Sequence, residues 1–462
     1  MTHKDALGAV DAQIDRKISL RLLPFLSLLM FVAFIDRIAI SYAGPNGMNE
    51  ELGLTATAFG FAAGIFFAGY ILVEVPSNIA MHRFGGRAWL ARIITTWGIV
   101  QTLTAFSPNA PVLYALRFLL GVAEAGFAPG VMLYLTLWFS HSYRGRAVSR
   151  FFFSTLVATV VGAPLSLWLI SFGDGSRPLG LVGWRFLYVS TGVVAVILGV
   201  IAWFYLDDRP DKAKWLSADE KARIRTRLEA DRSDATPAEG GGILGVFKSS
   251  LPWLLGLCYF TFVYGAYALT FFLPTIVSGF EEQFGVRYSS AQVALLTSVP
   301  FCFGGAAQLW LGRRADKKGR LGLLVAATAV IGLVGGVAAT FASDPLVLIL
   351  FICLLSIGTA GGATTVLIMA TRMYSGVSAA TAIALVNTVG ISAGFFGPYL
   401  TGWLRDATGN DKGGILLIAL LLALSAVIAL MVDRPRRIRA GGGDSLGLGD
   451  SAGVQRSPSA QR

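Results

Sequence analysis

Residues 207–242 read DDRPDKAKWLSADEKARIRTRLEADRSDATPAEGGG. The stretch is charged, partly helical in pattern, and closes on three glycines suited to a flexible linker. It stands between two long apolar halves and so decides how the chain divides. A bilayer crossing needs about 20 apolar residues. That ruler marks six spans before the stretch, at roughly 19–44, 57–80, 89–108, 111–138, 147–172 and 184–206. Six more follow it, at roughly 251–277, 289–311, 321–341, 346–371, 379–403 and 414–432. The expected fold is an all-α polytopic membrane protein with twelve transmembrane helices in two six-helix bundles. The expected order is an N-terminus over 1–18, a bundle over 19–206, a linker over 207–250, a second bundle over 251–433 and a disordered Gly/Ser-rich tail over 434–462.

Composition agrees with this division. Of 462 residues, 55% are hydrophobic and only 14% charged, with a mean hydropathy of +0.65. A soluble chain of this length does not hide so much apolar surface behind so few charges. No stretch has the form of a signal peptide, so the first apolar run is expected to stay in the membrane. The net charge of +11 does not point to nucleic acid, because the basic residues cluster at the ends of apolar runs. Arg16, Lys17, Arg83, Arg87, Arg144, Arg146, Arg150, the 207–248 segment, Arg313, Arg314, Lys317, Lys318, Arg320, Arg372 and Arg434–Arg439 all fall on one side. By the positive-inside rule both termini are expected to be cytoplasmic. Cys258, Cys302 and Cys353 stand singly in apolar segments and read as small core residues. The three histidines, His3, His82 and His141, offer no metal centre, and no phosphate-binding G-x-x-x-x-G-K-[ST] motif occurs. The chain is therefore read as a carrier driven by a gradient, without cofactor, and not as an enzyme.

The two halves carry matching landmarks 234 residues apart: HRFGGR at 82–87 against DKKGR at 316–320, and Pro164 against Pro398. A shared offset implies a duplicated six-helix unit, and parallel repeats of this kind place a substrate site at their interface near the bilayer midplane. The same offset carries Asp36 and Arg37 onto Thr270 and Phe271, Arg117 onto Phe351 and Glu124 onto Gly358. The intramembrane charges thus belong to the N-terminal half alone, which favours function over folding as their reason. Such charges are costly and are expected to face the bundle interior.

Arg117 and Glu124, in RFLLGVAEAGFAPG, are seven residues apart. At about 100° per residue they share one helix face, roughly 10 Å apart along the axis. Asp36 and Arg37, in FVAFIDRIAISYA, diverge by about 100°. One arrangement sets Asp36 against Arg117, leaving Arg37 free for a ligand anion and Glu124 free to exchange protons. Plainer readings stand beside it: Arg117 as a marker of the helix start, and Glu124 as a protonated packing residue. Glu74 reads as a gate or loop partner, and Arg372 as a helix-end anchor. Tyr70, Tyr264, Tyr267 and Asn387 are candidate cavity-lining residues.

At these motifs the chain resembles the major facilitator superfamily. The loops HRFGGR and GRRADKKGR carry that resemblance, with Arg83, Gly85, Arg87, Asp316, Gly319 and Arg320 as the signature positions. FIDRIAISYA, RFLLGVAEAGFAPG, DRPDKAKWLSADE, VPSNIAMHRFGGRAWLARIITTWG and ALVNTVGISAGFFGPYLTGWLRDATG resemble its anion:cation symporter branch. That branch includes bacterial carriers of tartrate, sugar acids, phthalate and hydroxyphenylacetate. The resemblance covers about residues 20–435. It implies that Arg37 binds the substrate carboxylate, that Asp36 and Glu124 are proton-coupling sites, that Arg117 is their basic partner, and that Tyr70 and Asn387 contact substrate. The chain departs from the family pattern at Ala39, where Asn is common, at His82, where Asp is usual, and in TTVLIMATRMYSG, which lacks the usual tryptophan and proline. The implied function is import of a small organic anion by proton symport across the cytoplasmic (inner) membrane, the chain acting as a monomer. An exporter of the same fold and a non-transporting nutrient sensor are the alternatives.

Overall fold

A computed structural model describes residues 3–233, 243–316, 320–373 and 376–441. It is helical over most of every expected span. The first half comprises α1 (His3–Ala43), α2 (Ala56–Phe84), α3 (Gly86–Thr104), α4 (Ala110–Glu124), α5 (Phe127–Thr136), α6 (His141–Ser176) and α7 (Gly183–Tyr205). A surface helix, α8 (Ala218–Ser233), lies in the charged linker. The second half comprises α9 (Ser250–Ser278), α10 (Ser290–Asp316), α11 (Leu321–Ala339), α12 (Pro345–Met373), α13 (Gly376–Thr408) and α14 (Lys412–Gly441).

Among the described residues, eleven helical stretches are long and apolar enough to cross a membrane. The remaining expected span is α3, a 19-residue helix whose Arg87, Arg92, Gln101 and four threonines lower its hydropathy. It nevertheless packs along α7 within the first bundle.

Three boundaries differ from the sequence reading. α1 begins at His3, so most of the polar 1–18 segment is helical rather than a separate tail. α14 continues to Gly441, past the expected end of order near 433, while the tail from 442 lies outside the described residues, as do the linker glycines 240–242. The fourth span is broken: Gly126 sits at φ +84 between α4 and α5. That left-handed conformation suits glycine, and a Cβ there would stand 2.4 Å from the Ser77 hydroxyl. The helix starts have local causes. Thr55 caps α2 through the Ala58 amide at 3.2 Å, and Asn109 caps α4 through the Val112 amide at 3.1 Å.

The halves meet along two pairs of helices, α2 with α13 and α6 with α10, besides α1 with α9. α2 and α10 begin 234 residues apart, and α6 and α13 each carry one of the matched prolines. The two interfaces are therefore the same contact, repeated by the internal duplication. The α2–α13 seam lies at the end of the molecule opposite the basic clusters. Gly60 and Gly64 admit the α13 backbone so closely that a Cβ would lie 2.2 Å from the Pro398 carbonyl oxygen and 2.7 Å from that of Phe395. At the mouth of this far face, Asp406 of α13 accepts from the amides of Ala56 and Thr57 at 3.0 and 2.8 Å and from the Thr57 hydroxyl at 2.5 Å. On the second seam the Ser298 hydroxyl donates to the Val160 carbonyl at 2.9 Å.

At the basic end, α8 is strapped to the polar start of α1. Lys17 pairs with Glu220 at 2.8 Å, Arg223 with Asp11 at 2.5 Å and Arg227 with Asp15 at 2.9 Å. Between α2 and α3, Gly85 turns the chain at φ +88, and the Asp208 carboxylate accepts from the Arg87 amide at 3.1 Å. A carboxylate at the start of α3 is where the helix dipole favours one. Arg83 is exposed beside Phe84, Arg87 lies over Trp203, and Arg320 is exposed at the N-terminus of α11. Gly319 and the side chain of Asp316 lie outside the described residues. Arg372 donates to the Ala315 carbonyl at 2.6 Å, tying the end of α12 to α10. Cys258 and Cys353 are buried, whereas Cys302 is exposed on α10, so it is not a core residue.

Candidate functional site

Asp36 and Arg37 sit about two turns before the C-terminal end of α1 and face in different directions, as their angular separation requires. Asp36 is wholly buried against α3. Its Oδ2 accepts from Trp97 Nε1 at 3.0 Å, and Gln101 Nε2 donates to its backbone carbonyl at 3.3 Å and to the Thr191 hydroxyl at 3.3 Å. Oδ1 has no hydrogen-bond partner among the described residues. Trp97 and Gln101 are one turn apart on α3 and so reach the same side chain.

Arg37 faces the other way, toward α2 and α4, and forms an ion pair and hydrogen bond with Glu124. The pair is sequestered, with side-chain exposures of 14% for Arg37 and 1% for Glu124. Three rings of α2 surround the guanidinium, Phe66 at 5.1 Å, Tyr70 at 5.5 Å and Phe67 at 5.9 Å. Such rings present negative π-faces to a cation. Glu124 Oε2 has no hydrogen-bond partner among the described residues.

Arg117, also fully buried, turns behind this pair. Its Nε donates to the Ala62 carbonyl at 3.2 Å and its Nη2 to the Arg37 carbonyl at 3.4 Å, with the Phe66 ring 5.3 Å from its guanidinium carbon. The expected Asp36–Arg117 pair is therefore absent, and Arg37 and Glu124 are not free but matched to each other. The reason is rotational. Asp36 is committed to α3, which leaves Arg37 as the cation on the α2–α4 side of α1. Glu124, at the last turn of α4, meets it there.

Glu74 is half-buried on α2, one turn beyond Tyr70 and within electrostatic reach of Arg37. Tyr70 is buried beside Arg37 and, contrary to its expected role, is not among the residues lining the cavity between the halves. The second half contributes apolar and hydroxyl groups. A cavity of 280 Å³ between the halves is lined by Phe34 of α1, Thr155 and Thr159 of α6, Tyr259, Tyr267 and Thr270 of α9, Gln308 of α10 and Ser356 and Thr359 of α12, among others. Tyr267 lines this cavity and packs edge-on against Phe67 at 4.5 Å, a ring that also lies beside Arg37, so it joins the cavity to the charged cluster. Gln308 donates to the Thr364 hydroxyl at 3.0 Å.

Tyr264 is a correction. It is fully buried, with its hydroxyl 3.3 Å from that of Thr401, and it does not line the cavity. Asn387 is half-buried on α13 and is likewise not among the lining residues. Trp97, Gln101, Thr191 and the α2 phenylalanines escaped the sequence reading. The WGIVQ spacing, with two hydrogen-bonding side chains at i and i+4 inside an apolar helix, was the available signal for the first two.

A sequence profile of the Major Facilitator Superfamily matches residues 26–291 and 255–452, most of the chain. The chain belongs to this superfamily. A relative from Agrobacterium vitis named "Putative tartrate transporter" is 40% identical over 425 residues, covering 92% of this chain and 96% of its own. Another, from Pseudomonas putida, named "Putative metabolite transport protein NicT", is 34% identical over 90% of this chain and 93% of its own. The crystal structure of a bacterial homologue of the human lysosomal transporter Spinster, in an inward-facing and unoccupied conformation, shares the fold with a TM-score of 0.72 at 16% identity. It covers 90% of this chain and 97% of that one. The superfamily member described here is thus a multi-span membrane transporter, and among the described residues its fully buried charges all lie in the first half.

Proposed function

We propose that this transporter imports a small organic carboxylate of the tartrate or sugar-acid type by proton symport, through alternating access. In this reading the basic face and both chain ends are cytoplasmic, and the membrane is the inner membrane of the cell. The observation that carries it is the Arg37–Glu124 pair, sequestered beside a hydroxyl-lined cavity at the seam of the two halves.

The chemistry follows from charge balance. Asp36, Arg37, Arg117 and Glu124 together sum to zero in a region where unbalanced charge is costly. A carboxylate arriving at Arg37 competes with Glu124 for the same guanidinium. A proton on Glu124 removes that competitor and releases Arg37, whose planar fork suits a carboxylate. One proton therefore accompanies one substrate carboxylate. A dicarboxylate brings a second charge, and the unpartnered Oδ1 of Asp36 is the group to take the second proton. Thr155, Thr159, Gln308, Ser356 and Thr359 provide hydroxyl and amide groups for a polyhydroxylated substrate, and the tartrate name of the Agrobacterium relative supports that class. The sealed α2–α13 seam leaves access from the basic face, the state in which cargo is released on import.

Proteoliposome uptake tests the proposal. An imposed acid-outside gradient should drive inward accumulation of a hydroxy-dicarboxylate such as tartrate. Arg37→Ala should abolish substrate binding, because it removes the guanidinium that pairs with the carboxylate, and it should also destabilise the fold by about 3–5 kcal/mol, because it strands Glu124. Glu124→Gln should bind and exchange substrate but fail to accumulate it against a gradient. Outward-only flux, binding without flux, or normal accumulation by Glu124→Gln would overturn the reading.

A further inference from the structure

Away from the central site, α2, α3 and α4 enclose a groove of about 520 Å³ on the outside of the first bundle. Val73, Pro76 and Ala80 of α2, Val100 of α3, and Leu119 and Val122 of α4 form its walls. Its rim on α2 continues into Leu72, Val75 and Ile79, all about two-thirds exposed, so the groove opens onto the apolar belt that faces lipid. Trp89 and Arg92 close the end nearer the basic face. From Trp89 to Val100 the groove follows eleven residues of α3, about 16 Å at a helical rise of 1.5 Å per residue. That is the depth of roughly one leaflet of a ~30 Å hydrocarbon core.

An arginine at the head of such a groove needs an explanation. Among the described residues Arg92 takes part in none of the ion pairs and its Nε donates to no group. It is held instead by a ring, with its guanidinium carbon 4.0 Å from the Trp89 centroid. Trp89 is itself fixed, its Nε1 donating to the Ser77 hydroxyl at 3.1 Å and its face stacked on Phe84 at 5.4 Å, with Arg83 beyond Phe84 at 5.7 Å. Two guanidinium groups thus bracket an aromatic pair. A guanidinium positioned by stacking keeps its in-plane donors for a planar or tetrahedral oxyanion. At this depth the matching counter-charge is the phosphate of a lipid in the same leaflet, since basic pockets between transmembrane helices recruit acidic head groups.

We propose that this groove is a site for an acidic phospholipid of the leaflet on the basic face, with its head group on Arg92 and one acyl chain along α2, α3 and α4. The site is independent of what the central cavity carries. Native mass spectrometry of the purified full-length chain, equilibrated with equal phosphatidylglycerol and phosphatidylcholine, tests it. The wild-type chain should retain phosphatidylglycerol preferentially. Arg92→Gln should lower that preference by about five-fold, the factor for one basic side chain at an anionic lipid, and Arg92→Lys, which keeps the charge but loses the stacked fork, should fall between that variant and wild type. Ala80→Trp fills the groove without touching the charge and should reduce retention of both lipids. Arg146→Gln, an exposed basic position elsewhere on the same face, should leave the ratio unchanged. Equal retention of the two lipids by wild type, a wild-type ratio in Arg92→Gln, or an equal drop in Arg146→Gln would overturn the proposal.

Discussion

Asp406 is the most informative single perturbation of the conformational balance. Its carboxylate belongs to α13 in the second half, yet it accepts three hydrogen bonds from the first turn of α2 in the first half. It therefore acts as a helix cap supplied by the opposite bundle, present only while the far face is closed. Replacing an N-cap by alanine costs about 0.5–2 kcal/mol, and a carboxylate at a helix N-terminus adds about 0.3–1 kcal/mol from the dipole at an exposed position. Asp406 is exposed, so the lower part of the combined range applies, about 1–2 kcal/mol, which changes a two-state ratio by about 5- to 30-fold. The assay is pulsed electron paramagnetic resonance between spin labels at Glu50 and Lys412, exposed positions at the far ends of the two halves, in a background with Cys258, Cys302 and Cys353 replaced by serine. Asp406→Ala should move population from the short to the long far-face distance by that factor. Asp406→Asn keeps one acceptor without the charge and should fall between. A distance distribution in Asp406→Ala identical to wild type would refute the claim that this contact holds the far face shut.

Three further outcomes are expected. Trp97→Phe keeps the ring edge-on to Phe127 but strands Asp36 Oδ2, so it should lower the folded chain's stability in detergent by about 1–3 kcal/mol, read as a reduced thermal midpoint. Gly126→Ala places a Cβ 2.4 Å from the Ser77 hydroxyl at φ +84 and should destabilise by more than about 1 kcal/mol, with Ser77→Gly in the same chain restoring only the steric share. The Lys17 ammonium beside Glu220 holds its carboxyl below the usual carboxylate range. A depressed acid stabilises above its ordinary value of 4.5 and loses that contribution as pH falls further. Because the pair is exposed, a double-mutant cycle on Lys17 and Glu220 should give about 0.2–1 kcal/mol at neutral pH and nothing well below pH 4, by thermal unfolding.

Much of the architecture was legible because a bilayer is a severe solvent. It demands runs of about 20 apolar residues and internally satisfied backbone, so the spans, their grouping around residues 207–242 and the 234-residue repeat can all be read from the order of residues. The span at 89–108 is recovered too, as α3, whose arginines and threonines are covered by α7. The departures occur where local backbone geometry decides. The fourth span breaks at Gly126, a residue no different in kind from the neighbouring Gly121 and Gly130 until its backbone angle is known.

At the site, the sequence by itself determined which residues are anomalous: Asp36, Arg37, Arg117 and Glu124, charges inside apolar helices of one half only. Their spacing along one helix also determined that Asp36 and Arg37 diverge, since about 100° per residue is a property of the helix alone. Which charge meets which was decided by the tertiary structure. The rotation of α1 gives Asp36 to Trp97 and Arg37 to Glu124, and the approach of α2 gives Arg117 the backbone carbonyls of Ala62 and Arg37. Pairing across helices depends on their relative rotation and separation, and those arise from packing between segments far apart in the chain, which no local pattern encodes.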